Sequence, residues 1–321
     1  MKREVVLMLI VCLIVPLVGA QPKMSDPEEG TNPKTVTAYQ ISPIKVDGDL
    51  SDWPAGLEKR VCKEFYPGYQ VTTPEASTQE NYFMVAWNDQ KNQVYVAGWS
   101  TDDIAVLKLS EWSNPDLTAM AGATWLYDRW EIYFEWDNTD EGVGQQDGTV
   151  QYCVGINDPD SPYVDQGGFE VDAAGNPIEG GTMFFITGQA NLALTADGRP
   201  WRSQAKMVVK LDDPNDPYGS YTKVFEAAIT GWTYYAGDDN TDADVLDLGP
   251  DVNEGTGIGF DVTMMDRDGQ DRNTVDRNTA DNEGAWLGWS SGSKNANPQL
   301  LGTMLFSMTF AAAPVTDWSL Y

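Results

Sequence analysis

The turn Asp266-Arg267-Asp268-Gly269-Gln270-Asp271 sets three carboxylates around a glycine. Calcium takes several oxygen ligands, and such a turn offers them, with Asp266, Asp268 and Asp271 as candidate ligands. Asp102, Asp103 and Asp128 are weaker candidates of the same kind. The turn is not an EF-hand, because flanking helices and a terminal glutamate are absent. The chain contains no histidine. That excludes a Ser-His-Asp triad, a Cys-His dyad, and zinc or haem held by imidazole. Catalysis would fall to carboxylates, lysine, tyrosine or a calcium ion. A sugar asks for different groups: an exposed ring for its flat C–H face, and fixed carboxylate, amide or guanidinium groups for its hydroxyl rim. Trp125 is the best ring for this, since Ala121, Gly122 and Ala123 precede it and a strand follows from Asp128. It either stays at the surface for a sugar or caps the fold.

Strands must position these groups. Asn81 to Trp87 and Gln93 to Trp99 flank the turn cluster Asn88-Asp89-Gln90 and read as a hairpin. From Asp128 to Trp136, Trp130, Ile132, Phe134 and Trp136 share one face, and Arg129, Glu131, Tyr133 and Glu135 the other. Residues 204–211 and 221–229 form a second hairpin across DDPNDPYGS. In residues 257–264, Ile258, Phe260, Val262 and Met264 point one way, and Leu300 to Phe310 reads as the closing strand. The expected fold class is all-β: an antiparallel two-sheet β-sandwich, jelly-roll-like, with long loop insertions. Residues 138–200 read as one such insertion, with VDAAGNPIEGG as a hairpin tip, and residues 233–256 as a second, acidic loop.

The boundaries follow from composition. Residues 1–20 carry a basic start, an apolar run from Val5 to Val18 and a small-residue cleavage site, which is a secretory signal rather than a membrane span. Residues 21–37 read as a flexible leader, 38–311 as a single β domain and 312–321 as a tail. A formal charge of −29 argues against nucleic acid and anionic membranes as partners, and favours solubility and hard cations. Export leaves Cys62 and Cys153 either as one disulfide or as two buried thiols.

The order of these segments resembles the family 9 carbohydrate-binding modules, within the wider DOMON-like β-sandwiches. Ile44-Lys45-Val46-Asp47-Gly48-Asp49-Leu50 with Trp53 is similar to the family's opening motif. Ala86-Trp87-Asn88-Asp89 with Val94-Tyr95-Val96, Trp125 to Phe134, and Phe225-Glu226-Ala227-Ala228-Ile229 follow in order. Ile258-Gly259-Phe260 with Asp266, Trp289-Ser290, and Gly302-Thr303-Met304-Leu305 complete the series. Asp47-Gly48 is a turn pair, and Trp53 is expected to plug the sandwich.

The resemblance implies that Trp125 stacks on a sugar ring, that Glu131 accepts sugar hydroxyls and that Arg272 donates to them. Their plain alternatives are a cap for Trp125, a solvated or ion-paired Glu131, and an Arg272 that neutralises nearby aspartates. It also implies structural calcium. The chain departs from the family after Trp289-Ser290, where SGSKNANPQLLG holds no aromatic residue. Thr263 stands where the family has a glutamine. Half of the sugar clamp is then either missing or supplied from elsewhere, such as by Trp232 or a ring in the insertion. The expected function is a secreted, non-catalytic binder of polysaccharide or oligosaccharide, stabilised by calcium. The alternative is a self-associating structural subunit of an extracellular layer or filament. A two-carboxylate glycosidase and a haem-binding protein rank behind both.

Overall fold

The computed structural model describes residues 34–62, 64–65, 80–102, 128–136, 149–156, 170, 172–174, 176, 178, 181–186, 203–216, 219–231, 248, 257–266, 285–290 and 301–308. Twelve strands run in chain order: β1 Thr35–Gln40, β2 Glu64–Phe65, β3 Asn81–Asn88, β4 Gln93–Asp102, β5 Arg129–Glu135, β6 Thr149–Ile156, β7 Thr182–Ile186, β8 Gln204–Leu211, β9 Tyr221–Ile229, β10 Gly257–Asp266, β11 Ala285–Gly288 and β12 Gly302–Ser307. One 3-10 turn, Leu50–Asp52, interrupts them. Both expected hairpins are present, with Asn88 opposite Gln93 and Leu211 opposite Tyr221. Asn92 closes the first turn at φ 52°, a left-handed conformation that asparagine tolerates.

The strands form one continuous sheet in the order β7-β6-β5-β10-β12-β1-β3-β4-β9-β8, with β11 and β2 paired off β10. The two halves curl round a shared interior, so the sandwich is nearly a closed barrel. Thr182 of β7 accepts a hydrogen bond from the Met207 amide of β8 at 2.9 Å, and this contact joins the two ends of the sheet. Lys206 of β8 reaches Glu170 across the same seam at 2.5 Å. Burial pushes the Glu170 carboxyl up, but hydrogen bonds from Lys206 and Thr182 hold it net below its usual value. A folded value below the unfolded one stabilises above about pH 4.5, and that contribution is lost as pH falls through the folded value. Both partners are about one-third exposed. Glu170→Gln is therefore expected to cost only about 0.5–1 kcal/mol at pH 7 and less as pH falls below about 4.5, read by urea unfolding across that range.

Two readings change. β1 begins at Thr35, inside the expected leader, and runs parallel to both β12 and β3, so the sheet is antiparallel except at this strand. The segment read as a loop insertion supplies β6 and β7. β6 lies against β5 with Tyr133 opposite Gln151, and the expected tip returns through an Asp172–Asn176 turn. Cys62 and Cys153 are both buried and are not joined in a disulfide with each other.

The interior is apolar and aromatic. Phe134 stacks on Trp136 at 4.2 Å, and Phe83, Phe260 and Trp289 meet edge-on or tilted at 5.7–6.1 Å. Burying rings of this size dominates the stability of such a core. β3 and β4 are apolar on both faces, because a second layer covers their outer side. There, residues 41–57 bring Ile41, Trp53 and Leu57 onto Met84, Ala86, Tyr95, Ala97 and Ala228. Glu226 of β9 fixes this layer. It accepts from the Trp53 indole at 2.6 Å and from the amides of Asp47 and Gly48 at 2.9 and 2.6 Å. Gly48 has φ 84°, which explains a glycine at the turn. Trp53 is therefore the plug expected from the sequence, and the opening motif and the Glu226 motif are two halves of one latch.

Candidate functional site

An open groove of about 660 Å³ lies where the covering layer ends. One wall is Pro43 to Val46, another the β3–β4 turn with Gln90, Lys91 and Gln93, and the last is Gln204 at the start of β8. Tyr95 forms part of the floor and is buried apart from its edge. Burial pushes its hydroxyl pKa up, opposed by a hydrogen bond with the Ile44 backbone, so it stays a neutral phenol. The exposed groups are primary amides and ammoniums over a narrow apolar strip. Such a lining donates to and accepts from hydroxyls, and its volume falls in the range of ordinary ligand sites. The turn is held from within, since the Lys91 amide donates to Asn88 at 2.8 Å and the Leu248 amide to Asn92 at 2.7 Å. None of these residues is among the site residues expected from the sequence. The available signal was the amide-rich run Asn88-Asp89-Gln90-Lys91-Asn92-Gln93, with basic residues placed in a strongly acidic chain.

Among the expected sugar-binding residues, the described residues include Glu131 alone; Trp125 and Arg272 lie outside them. Glu131 is on the outer face of β5, as the alternation requires, but it is fully buried and paired with Arg129. The Tyr133 hydroxyl also donates to it, and Gln151 of β6 donates to Tyr133 at 3.0 Å. Burial first, and then the Glu131 charge, pushes the Tyr133 hydroxyl well above its usual value. The chain of groups ends at Gln151 Oε1, a buried acceptor with no protein donor. The ion-paired alternative for Glu131 is thus the one found, and its carboxylate presents no oxygen to solvent. Thr263 lies opposite Glu131 on β10, and on the same strand Asp261 accepts from both the amide and the hydroxyl of Ser290. This ties the strand to Trp289, whose ring is in the core.

Of the expected metal ligands, Asp268 and Asp271 lie outside the described residues, as does Asp103. Asp266 closes β10. Asp102 is buried at the end of the interior, where its Oδ2 accepts from Tyr221 at 2.8 Å and lies 3.7 Å from the Lys223 ammonium. Asp128 Oδ2 lies 2.7 Å from the same hydroxyl oxygen. An ammonium beside Asp102 competes with a cation for its oxygens, so this aspartate suits a proton-sharing cluster better than a calcium shell. Among the described residues no group of three or more Asp, Glu, Cys or His side chains is placed to hold a metal ion.

No protein-family model matches the chain, and no curated protein does. Two solved structures are similar to it. One is a family 9 carbohydrate-binding module from Caldicellulosiruptor kristjanssonii in complex with cellotriose, 18% identical, with a TM-score of 0.48, covering 88% of this chain and 100% of that one. The other is a protein from Bacteroides uniformis proposed to bind carbohydrate, 11% identical, with a TM-score of 0.43, covering 86% and 100%.

Proposed function

We propose that the chain is a secreted, non-catalytic carbohydrate-binding protein. The observation that carries this reading is the groove beside Tyr95, where three glutamine amides and two lysine ammoniums surround a narrow apolar floor. That combination answers a sugar's hydroxyl rim and C–H face, and it sits on a strand pair and a hydrogen-bonded turn rather than on free loops. The ordered motifs of a carbohydrate-binding family support the same reading. Trp125 and Arg272 belong to this reading as sugar-contacting residues that the resemblance implies, and the 266–271 turn as its calcium site. Among the described residues, Asp102 and Asp128 are the carboxylates closest to a glycosidase pair. They share one buried tyrosine hydroxyl inside the core, which leaves no room for a sugar ring between them.

Calorimetric titration of the signal-free protein with cello-, xylo- and manno-oligosaccharides, in calcium and in chelator, tests this. Saturable binding to at least one series is expected, with Gln204→Ala weakening it about three- to tenfold if the groove is the site, since it removes one or two hydrogen bonds. Loss on Trp125→Ala with Gln204→Ala unaffected would move the site from the groove to Trp125. Silence from the folded, calcium-loaded protein toward every series would favour the structural-subunit alternative.

A further inference from the structure

We infer that the groove selects acidic sugars, such as uronate-containing oligosaccharides, over their neutral counterparts. This rests on the carbohydrate reading of the same groove. The chain carries 49 acidic and 20 basic residues, yet the groove is lined by Lys45 and Lys91 and by no carboxylate. The lining thus carries only positive charge, although Asp47, Asp49 and Asp52 act on Lys45 from beside it, so Lys91 is the ammonium that faces a ligand. Lys91 is exposed, and among the described residues no carboxylate pairs with it. Lys45 is paired with Asp47 at 2.7 Å, but its side chain is 79% exposed. A pair so open to water is weak and exchanges readily for a ligand carboxylate.

The amides of Gln90 and Gln204 lie beside these ammoniums and take neutral hydroxyls in either sense, as donor or acceptor. A uronate offers both groups at once: hydroxyls for the amides, and a carboxylate for a charge-assisted hydrogen bond from Lys91. The acidic surface beyond the groove repels long polyanions. Its field is screened within about 8 Å at physiological salt, so a short oligomer feels Lys91 and the carboxylates beside Lys45 more than the distant surface.

The test is titration with trigalacturonate and with its fully methyl-esterified form, which keeps the skeleton and removes the charge, on wild type and on Lys91→Gln, at physiological salt. The acid is expected to bind about five- to tenfold tighter than the ester, as one or two exposed charge pairs would give. Lys91→Gln should erase that difference by weakening the acid more than the ester. Equal affinity for acid and ester, or a preference that survives Lys91→Gln, would overturn the inference. Displacement of the acid by acetate or inorganic phosphate at equal concentration would also overturn it, by showing a simple anion site. Binding of neutral oligosaccharides without acid preference refutes the selectivity alone. Binding of no sugar at all refutes the carbohydrate reading, and the selectivity with it.

Discussion

Glu226→Ala is expected to destabilise the protein by about 3–5 kcal/mol, measured as the free energy of urea unfolding at pH 7. Three N–H donors converge on this carboxylate: the Trp53 indole and the amides of Asp47 and Gly48. Hydrogen bonds to a charged partner contribute about 1.5–3 kcal/mol each, and a buried donor left without an acceptor costs about as much. The three do not add in full, because the two turn amides lie close enough to the surface for water to replace Glu226. The indole has no such recourse, since Trp53 is buried. Trp53→Phe separates the parts: it keeps most of the ring packing, removes one donor and should cost about 1–3 kcal/mol. A double variant no worse than Glu226→Ala alone would show that the indole bond acts through Glu226. Burial pushes the Glu226 carboxyl up more than its donors pull it down. Its folded state thus holds the proton more tightly than the unfolded chain, and wild-type stability falls as pH rises from about 4.5 through that folded value. Glu226→Gln should lack this slope.

The latch also shows what could be read from the sequence and what could not. The opening motif and the Glu226 motif were both visible, and Trp53 was assigned its plug role from its place beside a turn. Their hydrogen bonds were not visible, because the partners are 173 to 179 residues apart and periodicity carries no information across such distances. The hairpins of β3–β4 and β8–β9 were legible because alternation and turn residues are local signals. β6 and β7 were hidden for the opposite reason. The Gly- and Asp-rich run around them has no core of its own, and these strands are strands because β6 pairs with β5 and β7 with β6. β1 shares that cause, since its partners β12 and β3 come from distant parts of the chain.

The candidate site was less legible than the fold. Arg129 and Glu131 are two apart on one strand, so they share a face, and their pairing could have been expected from the alternation. The groove could not have been. Its walls come from residues 43–46, 90–93 and 204, which only the finished sheet brings together.

Lys223→Met carries the second large expected effect, about 3–5 kcal/mol of lost stability, because it removes the ammonium from a buried cluster that contains two carboxyl groups. The proton count there is constrained by geometry. The Tyr221 hydroxyl owns one proton, yet Asp102 and Asp128 both approach its oxygen at hydrogen-bond distance, and Lys223 donates to that oxygen at 3.2 Å. The hydroxyl can donate to only one carboxylate. A proton on the other carboxyl would complete the contact, and the expected state is one neutral and one ionised carboxyl beside the ammonium. Burial first, and then Asp128 and Asp102, pushes the Tyr221 hydroxyl well above its usual value, so it is not the group that gives up a proton. Asp128→Asn, which supplies an N–H of its own at nearly the same shape, should then cost under about 1 kcal/mol. Infrared spectra at neutral pH should show a carboxylic-acid carbonyl band in the wild type that this variant or Asp102→Asn removes. A Lys223→Met protein as stable as the wild type would mean that the cluster does not need the ammonium. An Asp128→Asn variant as damaged as Lys223→Met would mean that both carboxylates are ionised.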